Sequence, residues 1–231
     1  MSPLISVILP VYNGARYLDA ALASVQAQTY PPLDVIVVDD GSTDNSAAVA
    51  AAYPAVRLVA QPNQGTAAAR NHGVRLARGD YLAFLDQDDV WAGDKLAHQI
   101  DAFQARPDLD MVFGQVQPFF SPDWDAADRG GLYCPAEPVT GYLPSALLVR
   151  RAAFLAVGPF ETGWRLGEWA EWFTRARDQG LREWVVPHVV AWRRLHAGNK
   201  GLLDHAARGE YARLLKASLD RRRGGNGFRQ N

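Results

Sequence analysis

An α/β fold, with a mostly parallel sheet covered by helices on both faces, is what this sequence predicts. Three observations carry the expectation. The first hundred residues repeat a strand-then-helix rhythm, Pro and Gly punctuate the boundaries, and polar residues collect where the strands end.

Leu4–Leu9 is an apolar, β-branched run that Pro10 is expected to stop. From Tyr17 to Gln28 the residues Leu18, Ala21, Leu22 and Val25 recur at helical spacing, and Pro31-Pro32 blocks continuation. Leu33–Val38 reads as the second strand and ends in Asp39-Asp40-Gly41-Ser42. Ser42, Thr43 or Asp44 is available to cap a helix running to about Tyr53. Val56–Ala60 is the third strand, and Pro62-Asn63-Gln64-Gly65 turns the chain into a helix from about Thr66 to Ala77. The fourth strand begins at Tyr81 and runs into Asp86-Gln87-Asp88-Asp89.

After about Asp108 the rhythm becomes irregular. Met111–Gln117 reads as a strand, whereas 118–142 is rich in Pro, Gly, Asp and aromatics. Ser145–Val149 is a further strand, and a short helix from Arg151 ends at Gly158-Pro159. Two more strands are expected at Glu183–Val186 and Val189–Trp192. Leu202–Leu219 has a helical apolar pattern, and 221–231 should be a basic, mobile tail. A basic end after an amphipathic helix suits a solvated terminus or a touch on anionic lipid.

Composition narrows the function classes. The 231 residues are 48% hydrophobic and 21% charged, an ordinary globular balance. A net charge of −1 gives no reason to expect nucleic acid as the partner. The single cysteine, Cys134, excludes an internal disulfide framework and suits a reducing compartment. Leu4–Leu9 is too short for a signal-peptide core, and nothing approaches the ~18 apolar residues of a membrane span. The expected location is cytoplasmic, with any membrane contact peripheral.

Three acids at the end of a buried strand repel one another and are costly to desolvate. Asp86 and Asp88 lie on the same side of an extended backbone, where a hard cation such as Mg²⁺ or Mn²⁺ would compensate them. The plainer reading is that these acids cap the next helix. In a parallel sheet, ligands gather at the carboxyl ends of strands, which is where the polar ends of strands one, two and four converge. No Gly-x-Gly-x-x-Gly or P-loop sequence competes for that role.

Five segments together resemble a known family. They are Ser6-Val7-Ile8-Leu9-Pro10-Val11-Tyr12-Asn13-Gly14, Gln26-Ala27-Gln28-Thr29-Tyr30-Pro31, Val35-Ile36-Val37-Val38-Asp39-Asp40-Gly41-Ser42-Thr43-Asp44, Ala69-Arg70-Asn71-His72-Gly73 and Phe84-Leu85-Asp86-Gln87-Asp88-Asp89-Val90-Trp91. In order and spacing they are similar to the inverting family 2 glycosyltransferases, which have the Rossmann-like, nucleotide-sugar-binding GT-A fold. The resemblance implies a donor-binding half over 1–108. A half for the acceptor and the catalytic base would follow over 109–220, within the same domain.

It also implies a job for each strand end. Pro10 and Tyr12 would flank the nucleobase. Asp40 would accept a hydrogen bond from the base, favouring a uridine donor, unless it is a helix cap; Asp39 would be the structural acid of the pair. Asp88 would be the direct metal ligand, with Asp86 holding ribose or sharing the metal shell, and Asp89 a cap for the following helix. Arg70 suits either the nucleotide phosphates or an ion pair with the acid-rich strand end. The segment Arg194-Leu195-His196-Ala197-Gly198-Asn199 resembles one that closes the donor site, so His196 would complete the metal's coordination and Arg194 would meet the diphosphate.

Inverting transfer needs a base that takes the acceptor hydroxyl's proton. The family supplies it from a Glu-Asp pair, and here Glu168 matches the first position while Trp169 replaces the Asp. Glu168 is the first candidate and Glu171, one turn later, the second. The implied reaction is metal-assisted transfer from a nucleotide-diphosphate sugar to a hydroxyl on a glycan, lipid-linked, protein or peptide acceptor. The Trp169 departure leaves a second reading, a weak or inactive relative that binds nucleotide-sugar as a sensor or partner subunit.

Overall fold

The structure, a computed structural model, describes residues 2–164 and 166–199. The strands are β1 (Ile5–Val11), β2 (Leu33–Asp39), β3 (Val56–Ala60), β4 (Tyr81–Phe84), β5 (Val90–Trp91), β6 (Met111–Phe120), β7 (Val139–Thr140), β8 (Leu148–Arg150) and β9 (Glu183–Leu195). The helices are α1 (Ala15–Gln26), α2 (Ser46–Ala51), α3 (Thr66–Leu76), α4 (Lys95–Ala105), α5 (Arg151–Val157) and α6 (Glu168–Asp178). The strands form one sheet in the order β3-β2-β1-β4-β8-β6-β9-β5, with β7 added beside β6. Pairing is parallel among β3, β2, β1 and β4 and again between β6 and β9; β8 runs antiparallel to both β4 and β6. The α/β class and the mostly parallel sheet are therefore as expected. The helix proposed over Leu202–Leu219 and the basic tail lie outside the described residues.

The period-two alternation of β1 sorts its side chains onto two faces. Ile5, Val7, Leu9 and Val11 pack with Leu18, Leu22 and Val25 of α1 and with Leu96, Ile100 and Phe103 of α4. On the other face Ile8 packs with Ile36, Val38, Phe84, Val74 of α3, Phe154 of α5 and Trp172 of α6. A sheet buried on both faces explains why its strands read as continuous apolar runs. It also leaves the strand ends as the place where polar side chains gather.

Proline placed some boundaries too early. β1 continues through Pro10 to Val11, in register with Val38 and Asp39 of β2. Its pairing with β4 ends at Ile8 and Phe84, so Pro10 has a strand on one side only, where its missing N–H is tolerated. The two strands expected near 183–192 are one, because Pro187 falls in a register break opposite Gly114. A Cβ at Gly114 would lie 2.3 Å from Val190 Cγ1, so the backbones approach closely there.

Trp91 and Lys95 close the sheet beneath the acid-rich turn. Lys95 is fully buried, with Nζ donating to Gln99 Oε1 (2.6 Å) and the Leu147 carbonyl (3.2 Å), and it lies over the Trp91 ring at 4.5 Å. These partners are neutral, and burial pushes the Lys95 ammonium well below its usual pKa. The unfolded chain therefore binds the proton more tightly than the folded one, and folding stability should rise with pH between the depressed folded value and the ordinary lysine range. Urea titrations across that window are expected to give a slope of up to about 1.4 kcal/mol per pH unit from this group. Lys95→Met should flatten it; an unchanged slope would place it elsewhere.

Candidate active site

At the end of β1, Tyr12 is 43% exposed and its backbone is held from below. Gln87 Oε1 accepts from Tyr12 N (2.8 Å) and Gln87 Nε2 donates to Tyr12 O (3.2 Å). Gly14 lies close beside them: a Cβ there would sit 2.4 Å from Gln87 Oε1, the end of a flexible side chain that would have to shift. Asn13 adopts φ 49, and its Oδ1 accepts from Thr43 N (2.8 Å), tying the end of β1 to the loop after β2. Pro10 is buried as a strand residue. Tyr12 thus offers an aromatic face on a rigid support.

Asp40 is buried, and both oxygens accept from the turn before α3. Oδ1 takes Gln61 Nε2 (2.8 Å) and Gln64 N (2.9 Å), and Oδ2 takes Gly65 N (2.8 Å). Asp39 accepts from Ser42 N (3.0 Å) through Oδ1. The structural work assigned to Asp39 is thus done largely by Asp40. Any bond from Asp40 to a nucleobase must share an oxygen already in use.

The acids after β4 differ from one another. Asp89 is not a helix cap: α4 begins only at Lys95, and Asp89 is buried with Oδ2 accepting from Ser145 Oγ (2.7 Å) and Oδ1 from Arg194 N (3.1 Å). Burial first, then the neighbouring Asp88 and Asp86 carboxylates, push the Asp89 carboxyl well above the ordinary range. Asp88 Oδ2 lies 2.9 Å from His196 Nε2 and accepts from Asn199 Nδ2 (3.2 Å). Arg194 Nε donates to the Asp88 carbonyl (3.1 Å), and its guanidinium lies between the Tyr17 and Phe119 rings at 4.8 Å from each. The segment from Arg194 to Asn199 is thus folded onto the acid motif.

Among the described residues, no group of three or more His, Cys, Asp or Glu side chains forms a metal cage. Asp88 and His196 lie 2.9 Å apart, and a hard divalent ion needs only one or two protein ligands, taking the rest from water and substrate phosphate.

Arg70, on α3, links this end to the start of α6. Nη2 lies 2.6 Å from Asp86 Oδ1 and Nη1 lies 3.1 Å from Glu168 Oε1, with the arginine side chain 3% exposed. The ion-pair reading of Arg70 is the one the geometry displays. Glu171 is a correction. It is 1% exposed, Arg175 Nε lies 2.9 Å from each of its oxygens, and that arginine also donates to the carbonyls of Val157 and Pro159. Glu171 is thus held at the α5–α6 junction, away from solvent. Trp169 turns from the acids into an aromatic cluster, parallel to Phe173 within 7°, and its indole N–H donates to Tyr142 O (2.9 Å).

Gln87 and Ser145 were not singled out in the sequence. Gln87 carried one signal, its place between two acids; Ser145, 56 residues from Asp89, carried none.

Comparison with known proteins places these residues in context. The glycosyl transferase family 2 model matches residues 6–154. An uncharacterized glycosyltransferase of Haemophilus influenzae is 44% identical over 117 residues, 48% of this chain and 46% of its own length. The structure is similar to S. aureus TarS 1–349 in complex with UDP-GlcNAc, at TM-score 0.77 and 19% identity, covering 94% of this chain and 66% of that one. It is also similar to a mannosyltransferase from Pyrobaculum calidifontis in complex with GDP-Man and Mn²⁺, at TM-score 0.67 and 22% identity, covering 88% and 60%. The chain spans less than half the length of the curated relatives it matches. No helix among the described residues is long and apolar enough to cross a membrane.

Proposed function

The chain belongs to glycosyl transferase family 2 and has the GT-A fold, and from that premise we propose that it is an inverting transferase using a uridine-diphosphate sugar and a divalent metal. The observation that carries the reading is the meeting of two ends at one arginine. The Asp86-Gln87-Asp88 turn and Glu168 are 80 residues apart in sequence, yet Arg70 touches both Asp86 and Glu168. The UDP-GlcNAc bound by TarS and the Mn²⁺ bound by the mannosyltransferase support the donor class and the metal.

In this reading Tyr12 stacks on the nucleobase, and Asp40 holds the turn that borders it while offering it a shared acceptor. Asp88 with His196 and Asp86 would hold Mn²⁺ or Mg²⁺, which when bound offsets the charge developing on the departing diphosphate. Arg194 presents a guanidinium to the same oxygens. Glu168 accepts the proton of the acceptor hydroxyl as it attacks the anomeric carbon from the face opposite the diphosphate. The lone cysteine suits a reducing, cytoplasmic setting. A weak or inactive nucleotide-sugar binder is the second reading, because Trp169 places an indole bonded to Tyr142 where the family has its second acid.

A thermal-shift panel of UDP- and GDP-sugars with and without Mn²⁺ tests the donor. A UDP-sugar is expected to raise Tm only with metal, by the equivalent of about 2.7 kcal/mol at a hundred times its Kd. No shift with any nucleotide-sugar would remove both readings.

A further inference from the structure

Resting on that function, we propose that Arg70 is the positioning residue for the base, holding Glu168 through Oε1 in the orientation that meets the acceptor's hydroxyl. The guanidinium approaches Glu168 Oε1 at 3.1 Å and Asp86 Oδ1 at 2.6 Å, and it lies over the Phe160 ring at 5.7 Å. Arg70 Nε and Glu168 Oε2 are both buried and without a hydrogen-bond partner. An unsatisfied buried polar atom costs about 1–3 kcal/mol, so a carboxylate oxygen kept in that state calls for an explanation. A carboxylate fixed in one orientation by Arg70 supplies it.

The frame around the pair is rigid. Asn71, the next residue of α3, donates Nδ2–H to the Phe160 carbonyl (2.8 Å) and accepts from Phe160 N (2.9 Å), which fixes the chain leading towards α6. One helix therefore sets both the charge partner of Glu168 and the approach to it. Where the family has a second acid, Trp169 points into the aromatic cluster and has no carboxylate to share the task. Arg70, anchored by Asp86, takes over the orienting role.

The step balances. The acceptor O–H bond breaks and its proton goes to the Glu168 carboxylate. The acceptor oxygen bonds to the anomeric carbon, and the pair from the cleaved sugar–phosphate bond leaves on the diphosphate. Arg70 orients Glu168 and meets no substrate atom itself.

The test compares wild type, Arg70→Met and Arg70→Lys in release of UDP from the UDP-sugar that most raises the wild-type Tm, UDP-GlcNAc heading the panel. Arg70→Met is expected to lower kcat about 100-fold or more, the cost of a misplaced catalytic group. Donor KM and the Kd for UDP with Mn²⁺ should stay within about threefold. Arg70→Lys keeps the charge without the two-pronged geometry, so kcat should recover only in part. In a Glu168→Gln background, Arg70→Lys should cost nothing further, which also decides the matter if Arg70→Met fails to fold. A proportional fall in kcat and UDP affinity, or a full further loss in the Glu168→Gln background, would overturn the proposal. A wild type that binds UDP-sugar and never turns it over would remove the catalytic reading itself.

Discussion

Glu168→Gln is expected to bind donor normally and to lose turnover by about 10²–10⁴-fold, the usual contribution of a positioned base. Glutamine keeps the shape and can still accept from Arg70 Nη1 through its amide oxygen, so the ion pair becomes a hydrogen bond and α6 stays in place. What is lost is the unpaired carboxylate oxygen. The measurement is UDP release under saturating donor together with the Kd for UDP and Mn²⁺. If Glu168→Gln turns over at the wild-type rate, the base is a different group, and Glu171 is a poor substitute because Arg175 grips both of its oxygens. If wild type and variant are both silent while UDP still binds, the sensor reading prevails.

Asp88→Ala should abolish the metal-dependent part of UDP binding. The substitution deletes the carboxylate that faces His196 and Asn199, and it leaves the buried Asp89 to tie Ser145 to the Arg194 backbone. Fold and Tm without ligand should therefore change little, whereas UDP affinity in Mn²⁺ should fall by about two orders of magnitude, a loss of some 2.7 kcal/mol. Calorimetric titration of UDP with and without Mn²⁺ checks it. A variant that still binds UDP more tightly with Mn²⁺ than without would move the metal away from Asp88.

The first hundred residues were the legible part, for a physical reason. Its strands are short apolar runs buried on both faces, and each helix alternates at its own period, so local composition is enough to locate β3 or α3. Roles that depend on distant partners were not legible. Asp89 reads locally as an acid before a helix, yet it is fixed by Ser145 and Arg194, brought in from other strands. Glu171 reads as an acid in a helix's first turn, yet the side chain below it is Arg175 and its environment is the α5–α6 junction. Arg70 allowed two readings in sequence because Asp86 and Glu168 come together only in the folded chain. Proline misled twice: the sequence marks where a backbone donor is missing, and the fold decides whether one is needed.

The placing of β8 between β4 and β6 has a consequence for how the molecule must assemble. The strand that delivers the acids has an open edge until residues 148–150 arrive to pair with it. The site cannot therefore mature as the first hundred residues emerge; an unclosed β4 is a template for stray pairing in a nascent chain. Ser145 comes just ahead of that strand, so the segment that completes the sheet also brings the hydroxyl that steadies Asp86 and Asp89. Closure of the edge and organisation of the acids are then one folding event.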